Sequence, residues 1–122
     1  MKLKTQDLTG EALDWAVARC DNEDWSDEAC IVNVTMFDKY TGTICNYSAD
    51  WAQGGPIIER EEIGIVRNAP CSKGREWEAR PSITAKGAGG KWGYGPTPLV
   101  AAMRAYVASN LGDEVEIPEG LQ

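Results

Sequence analysis

The chain has 122 residues, 43% of them hydrophobic and 25% charged, which is typical of one globular domain with a core of its own. Nineteen acidic residues against twelve basic ones give a net charge of −7, which argues against a binder of duplex nucleic acid because such proteins need clustered Lys and Arg. The chain has no histidine, so Ser-His-Asp catalysis is excluded and the commonest transition-metal ligand is missing. No apolar run approaches the length of a membrane span, so we expect no membrane partner.

The four cysteines, Cys20, Cys30, Cys45 and Cys71, show no C-x-x-C spacing. A zinc site is therefore not expected, and neither metal nor cofactor is predicted. The opening Met1–Lys4 is charged and no apolar signal segment follows it, which favours free thiols in a reducing cytoplasm over disulfides.

The acidic residues cluster in two segments, 21–28 and 113–119, which hold nine of the nineteen. Such clusters are usually solvated surface. The alternative is a surface that is complementary to a basic partner.

The first predicted element is a helix over residues 8–20, capped by Thr9, with Leu13 and Val17 on its apolar face. Branched residues then predict a strand over Cys30–Phe37. After a turn at residues 38–42, Thr43–Ser48 is expected to form the second arm of a hairpin.

The segment Asp50–Glu61 contains Gly54-Gly55-Pro56, which predicts a rigid bend from which the chain leaves as a strand. Such a bend would present Asp50, Trp51 and Gln53 as a binding edge. The alternative is an ordinary loop between two strands.

Two further strands are predicted, over Glu62–Arg67 and over Glu76–Ala85, where Pro81 indicates an edge or a bulge. Residues 86–96 then hold five glycines with Lys91, Trp92 and Tyr94. This segment is either a flexible loop or a close backbone approach to an anionic ring compound.

The last helix is predicted over Leu99–Leu111, with Thr97 as its N-cap, Pro98 in the first turn and Gly112 closing it. Arg104 lies off the centre of its apolar stripe and is expected in solvent unless the helix start faces the glycine-rich segment. In the tail, Val115 and Ile117 suit a short strand. Together these elements predict an α+β fold: an antiparallel sheet of about four or five strands with an N-terminal and a C-terminal helix packed on it.

The residues indicate binding more than catalysis. Asp50 with Glu59 or Glu61 could form an acid–base pair, but nothing in their spacing singles them out. The predicted ligand-binding site combines aromatic faces, cations and the start of the last helix: Asp50, Trp51, Gln53, Gly54, Gly55, Arg60, Lys91, Trp92, Tyr94, Thr97 and Arg104. We expect these residues to form one cleft if the two glycine-rich segments face each other.

Four segments of the chain resemble the NinX-like bacteriophage proteins, a family of unknown function: Leu8–Ala18, Asp50–Glu61, Gly95–Val107 and Leu111–Pro118. Residues 21–47 carry no recognisable family residues. The resemblance implies an accessory phage protein acting in the cytoplasm of a bacterial host, and it brings no catalytic residues, cofactor or partner.

Two hypotheses follow. In the first, the protein binds a small anionic, nucleotide-like ligand as part of counter-defence. In the second, its acidic segments mask or inhibit a host protein. A homodimer is compatible with both, and a nucleotide-directed enzyme is the third reading.

Overall fold

The computed structural model describes residues 1–36, 44–68, 73–81 and 90–121. Within these ranges lie four α-helices, one 3-10 turn at Thr5–Asp7 and five short strands. The helices and strands, in chain order, are β1 (Lys2–Lys4), α1 (Gly10–Asp21), α2 (Asp27–Thr35), α3 (Trp51–Arg60), β2 (Gly64–Arg67), β3 (Trp77–Arg80), β4 (Gly93–Gly95), α4 (Pro98–Leu111) and β5 (Glu114–Glu116). The α+β prediction is confirmed.

The strands form two antiparallel sheets. The order β2-β3-β4 is a meander in which Ile65 pairs with Ala79 and Ala79 with Gly93. The second sheet joins the two ends of the chain, with Leu3 opposite Val115 in β1 and β5. The predicted tail strand is thereby confirmed for Val115, whereas Ile117 follows the end of β5. The five strands are divided between two sheets.

Helix α4 is the centre of the molecule. Residues 101–108 are all buried, and α4 packs against β4, β3 and β2, against α1 and α3, and against β5. Its predicted ends are confirmed: Thr97 Oγ1 accepts a hydrogen bond from the Val100 N–H at 3.1 Å, and Gly112 closes the helix with φ +95°. Helix α4 is therefore buried on all sides over residues 101–108, rather than packed through a single apolar stripe.

The glycines of β4 allow the sheet to approach this helix. A Cβ on Gly93 would overlap Ala101 O and Ala105 N, and a Cβ on Gly95 would lie 3.0 Å from Ala101 N. The prediction of a loop over 86–96 is therefore wrong for Gly93–Gly95. These two glycines permit a close backbone approach, but to a helix of the same chain; residues 86–89 lie outside the described residues.

Two predicted strands are wrong. Cys30–Phe37 was expected to be extended, but residues 27–35 are helical because Ser26 caps the helix, its Oγ accepting from the Ala29 N–H at 3.1 Å. Cys30 and Val34, one helical turn apart, form its buried side. Residues 44–49 form irregular structure and a turn, so no hairpin arm runs over the described part of Thr43–Ser48.

The predicted bend at Gly54-Gly55-Pro56 is also wrong. Asp50 caps α3, its Oδ1 accepting from the Ala52 N–H at 2.9 Å, and the helix continues through all three residues. A proline inside a helix costs about 3 kcal/mol. In the fold, α3 nevertheless packs on α4, where Gly54 lies against Leu99, and Ile57 of α3 is buried in the core.

The remaining predictions agree with the structure where it can be compared. Helix α1 begins two residues later than expected, and Thr9 precedes it without a side-chain capping bond. Strand β2 lies within Glu62–Arg67, and β3 ends at Arg80, next to Pro81. The rest of the predicted Glu76–Ala85 strand, residues 82–85, lies outside the described residues.

Candidate functional site

The eleven residues of the predicted site do not form one cleft. Trp51 and Thr97 line one cavity, Tyr94 and Arg104 line another, and Arg60 lies in a third. The start of α4 faces the start of α3 in the first of these cavities. The described residues of the glycine-rich segment 86–96, with Lys91, Trp92 and Tyr94 among them, do not line it.

The cavity at the helix starts has a volume of about 470 Å³. Gly10 of α1, Trp51 of α3 and Pro98 of α4 all line it, so three helices begin there. The Trp51 side chain is 54% exposed and Leu99 is buried below it. The other lining residues are small or apolar, and no charged side chain is among them.

Several predicted ligand contacts are used to hold the chain itself. Gln53 Nε2 donates to Ile44 O at 2.8 Å, and its Oε1 accepts from the Asn46 N–H at 2.8 Å. Asp50 is the cap of α3, as described above. Gly54 is in contact with Leu99, whereas Gly55 has open space at its Cβ position.

Arg60 is neutralised by neighbouring carboxylates. Its Nη2 lies 2.8 Å from Asp21 Oδ1, its Nε lies 2.9 Å from Glu61 Oε2, and Nη2 also donates to Tyr106 Oη. Burial disfavours the charge, but the hydrogen bonds to Glu61 and Asp21 outweigh it and raise the pKa of Arg60. The cavity around it also contains Glu23 and Asp24, so its surroundings are acidic.

Lys91 and Trp92 lie on the surface. The Lys91 ammonium is 3.2 Å from Asp113, and its backbone N–H donates to Ser109 Oγ. Trp92 is 47% exposed, with the Arg80 guanidinium carbon 5.1 Å from its ring centroid. Neither residue lines the cavity that holds Tyr94 and Arg104.

That cavity is a cationic cleft of about 510 Å³, within the usual size range of ligand pockets. Its charged lining consists of Lys73, Arg75 and Arg104 against one carboxylate, Asp7. Gln6, Gly74, Tyr94 and Pro96 complete it. In a chain whose net charge is −7, this concentration of positive charge is unusual. We call it the cationic cleft below.

Arg104 forms the buried wall of the cationic cleft. The residue is only 6% exposed; its Nε donates to Leu8 O at 3.0 Å and its Nη1 donates to Tyr94 O at 2.7 Å. Both acceptors are neutral carbonyls, and within the described ranges no carboxylate forms an ion pair with it. Burial lowers the pKa of Arg104, and the charge of Asp7 partly opposes this.

Tyr94 gives the cleft an aromatic face. The Arg75 guanidinium carbon lies 4.2 Å from the Tyr94 ring centroid, a close cation–π contact. Gln6 fixes the backbone below the ring, because its Oε1 accepts from the Tyr94 N–H at 3.0 Å and its Nε2 donates to Trp92 O at 3.1 Å. A stacked guanidinium still directs its N–H donors outward in its own plane.

Sequence reasoning missed Lys73 and Arg75. Both are exposed and flank Gly74, whose φ of +89° turns the chain between them. The signal that could have found them is Lys73-Gly74-Arg75 itself, two cations around a glycine in a chain poor in cations.

Among the described residues, Cys20, Cys30 and Cys45 form no disulfide; Cys71 lies outside the described residues. Burial raises the pKa of the Cys30 thiol, so it is poorly suited to act as a thiolate nucleophile. Within the described ranges, no group of three or more Cys, Asp or Glu side chains is placed to hold a metal ion. No described helix is long and apolar enough to cross a membrane.

Fold and cleft together define a small α+β domain built around a buried helix, with a cationic, aromatic-lined cleft. The model of the family described as Bacteriophage P22, NinX matches residues 4–110, and the chain belongs to this family. The matched range includes residues 21–47, where family residues had not been recognised, while the segment Leu111–Pro118 lies beyond it. Comparison with curated proteins gives no match.

Proposed function

We propose that the protein is a binding module for a small anionic, nucleotide-like ligand, which it holds in the cationic cleft. The observation that carries this proposal is the buried Arg104, whose hydrogen-bond partners among the described residues are two neutral carbonyls. A buried cation without a carboxylate is costly unless a counter-charge is supplied. An anionic group between Arg104, Arg75 and Lys73 supplies it, through charge-assisted hydrogen bonds.

Tyr94 favours an aromatic anion over a simple one. Its ring stands beside the cationic groups, so a ligand with a flat base and a phosphate can use both features at once. The membership in a bacteriophage family supports a role inside the infected host cell, in its cytoplasm, where nucleotide ligands include signals of host defence. The protein acts there by sequestering the ligand rather than by converting it.

The first test is native mass spectrometry of the protein recovered from infected cells. An added mass of nucleotide size that is released on denaturation supports the proposal, and its fragments identify the ligand. Bare protein, with no binding of cyclic or linear nucleotides in subsequent titrations, contradicts it.

The second test distinguishes binding in the cationic cleft from a general effect of the protein's net charge. The double variant Lys73→Gln/Arg75→Gln removes two exposed cations of the cleft, and Lys2→Gln/Lys4→Gln removes two exposed cations of β1. We expect the first pair to weaken nucleotide binding at least about tenfold, since a hydrogen bond to a charged group contributes about 1.5–3 kcal/mol. The control pair should change it less than about threefold, and equal effects from both pairs would reject the cleft.

Tyr94→Leu tests the aromatic part of the proposal. Stacking of a base on an aromatic ring contributes about 1–3 kcal/mol, so nucleotide affinity should fall about tenfold. Binding of inorganic phosphate, which has no ring, should be unchanged. If the two ligands lose affinity equally, Tyr94 supports the cleft but does not stack on the ligand.

A further inference from the structure

A groove of about 420 Å³ lies between α1, α2 and the segment that follows β5. Its floor is apolar: Trp15 and Ile117 are almost fully buried, and Ile31 of α2 is half-buried. Four carboxylates stand around this apolar floor, and no cationic side chain is among the lining residues. We call it the acidic groove.

The rim of the acidic groove joins the two acidic segments of the sequence. Asp27 and Glu28 come from the first segment, and Glu116 and Glu119 come from the second. Residues that are far apart in the chain therefore concentrate negative charge around one apolar floor.

Part of this charge is neutralised within the chain. Asp27 Oδ1 is 3.1 Å from Arg19 Nε, and Glu116 Oε1 is 3.0 Å from the Met1 ammonium. Glu28 and Glu119 are exposed and form no ion pair with the residues that the structure describes. Four carboxylates thus meet two cations, and the rim keeps a surplus of negative charge.

We propose that the acidic groove binds a basic amphipathic segment of a partner protein. An apolar side chain of that segment contacts Ile31 and Trp15 on the floor, while its lysines or arginines approach Glu28 and Glu119. The apolar floor and the acidic rim together favour a basic amphipathic segment over other ligands. A small cation would not contact the apolar floor, and the acidic rim repels nucleic acid and anionic lipid surfaces. The proposal does not depend on the cationic cleft.

The exposed face of α2 agrees with a partner of this kind. Val32, one residue after Ile31 and one helical turn after Glu28, is 50% exposed, and Met36 at the end of α2 is 62% exposed. A helix laid along α2 can cover these side chains while it fills the groove. Apolar surface beside unpaired carboxylates is complementary to a segment that alternates apolar and basic residues.

The experiment uses a fluorescent synthetic peptide of lysine and leucine, arranged as an amphipathic helix, and the same peptide with glutamate in place of lysine. Anisotropy is measured at low ionic strength and at about 0.15 M salt, where the Debye length is about 8 Å. We expect the lysine peptide to bind, more weakly at the higher salt, and the glutamate peptide not to bind. No binding of the lysine peptide at low salt overturns the proposal.

Matched variants locate the binding. Glu28→Gln/Glu119→Gln should weaken the lysine peptide about three- to tenfold, as expected for two exposed charges. Glu59→Gln/Glu62→Gln makes the same change in charge at two exposed residues outside the groove and should have less than a twofold effect. Equal weakening by both pairs means attraction to net charge alone and overturns the site.

A last pair tests the apolar floor. Ile31→Ala should weaken the peptide at least about threefold at both salt concentrations, because its contribution is not screened. Ile65→Ala, which shortens a half-buried isoleucine of β2, controls for general destabilisation and should leave binding unchanged. An Ile31→Ala protein that is folded by circular dichroism and binds as tightly as the wild type overturns the apolar contact.

Discussion

Two arginines show how strongly the surroundings of a residue determine its use. Arg60 and Arg104 were both assigned to anion binding from the sequence. Arg60 already has two carboxylates within 3 Å, whereas Arg104 is buried against two carbonyl oxygens. A ligand anion at Arg60 would have to displace Asp21 or Glu61. Of these two arginines, therefore, Arg104 is the one whose positive charge can attract a ligand anion.

Asp14 is a buried carboxylate outside both proposed sites. It is 5% exposed in α1, and its Oδ1 accepts a hydrogen bond from the Ser48 N–H at 2.8 Å, which fixes the turn before α3. Burial raises the pKa of Asp14 above its ordinary value of 3.8, and the hydrogen bonds from Ser48 oppose this only in part. The carboxylate of Asp14 therefore binds a proton more tightly in the native state than in the unfolded chain.

This pKa shift predicts the effect of Asp14→Asn. Because the native pKa is raised, the stabilising contribution of the protonated form is present below pH 3.8 and is lost as the pH rises through the native pKa. Asp14→Asn keeps an acceptor for Ser48 and does not ionise, so the variant should be more stable than the wild type at pH 7. The excess should shrink as the pH falls to 3.8.

Urea unfolding at several pH values measures this excess. The control is Asp14→Ala, which leaves the Ser48 N–H without its partner and should cost about 1–3 kcal/mol at pH 7. A lower stability of Asp14→Asn than of the wild type at neutral pH would mean that the ionised carboxylate stabilises the fold.

At the scale of elements, α3 offers two adjacent glycines in opposite surroundings. A Cβ on Gly54 would lie 2.5 Å from Leu99 Cδ1 and 2.6 Å from Tyr47 O, whereas a Cβ on Gly55 meets nothing within 4 Å. The first glycine is required by the packing of α3 on α4. The second only loosens the helix.

We therefore expect opposite effects from the same substitution. Gly55→Ala should stabilise the protein by about 0.5–1 kcal/mol, since alanine is the better helix former. Gly54→Ala should destabilise it by about 1–3 kcal/mol, the usual cost of overpacking, because the backbone at Tyr47 cannot move aside as a flexible side chain could. Thermal and urea unfolding of the two variants give the comparison, and a stabilised Gly54→Ala would show that α3 does not pack on α4 as described.

Helices α4, α3 and α2 show what the sequence could predict and what it could not. The ends of α4 follow from local chemistry, the Thr97 cap and Gly112, and they were predicted correctly. The helix through Gly54-Gly55-Pro56 packs on Leu99, which is 45 residues away in the chain, so local rules predicted a bend. Likewise, Ser26 capping of α2 competed with branched residues that favour a strand, and the cap prevailed.

The candidate site could be predicted in its residue types but not in its location. Tyr94 and Arg104 were identified because an aromatic residue and a cation near a helix start suit an anion. Lys73 and Arg75 reach the same cleft only because β3 pairs with β4, which brings Trp77 opposite Gly95. Trp51 and Trp92 were assigned to the same site by type, and the fold separates them from it.

At the scale of the whole molecule, charge is segregated. The chain carries −7 in total, yet Lys73, Arg75 and Arg104 meet in one cleft. Glu28 and Glu119, which form no ion pair with any residue that the structure describes, lie on another groove. The cationic cleft and the acidic groove share no lining residue. One small domain can therefore present an anion site and a site for a basic segment without either neutralising the other.

The burial of α4 predicts how the molecule opens. Residues 101–108 of α4 are in contact with both sheets and with α1 and α3, so their amides can exchange only when most of the fold opens. Helix α2 buries only Cys30 and Val34, and α1 is the helix against which it packs. Local opening of α2 should therefore cost far less than global unfolding.

Native-state hydrogen exchange at increasing denaturant measures both helices in one sample. We expect the amides of α4 to exchange with the free energy of global unfolding and with its denaturant dependence. Those of α2 should exchange at a free energy lower by about 2 kcal/mol or more, with little denaturant dependence. If α2 is bound by the lysine–leucine peptide in the acidic groove, its protection should rise while that of α4 stays set by global stability. Equal protection of the two helices in the free protein would mean that α2 opens only with the core, and that its exposed face is a fixed surface rather than an adaptable one.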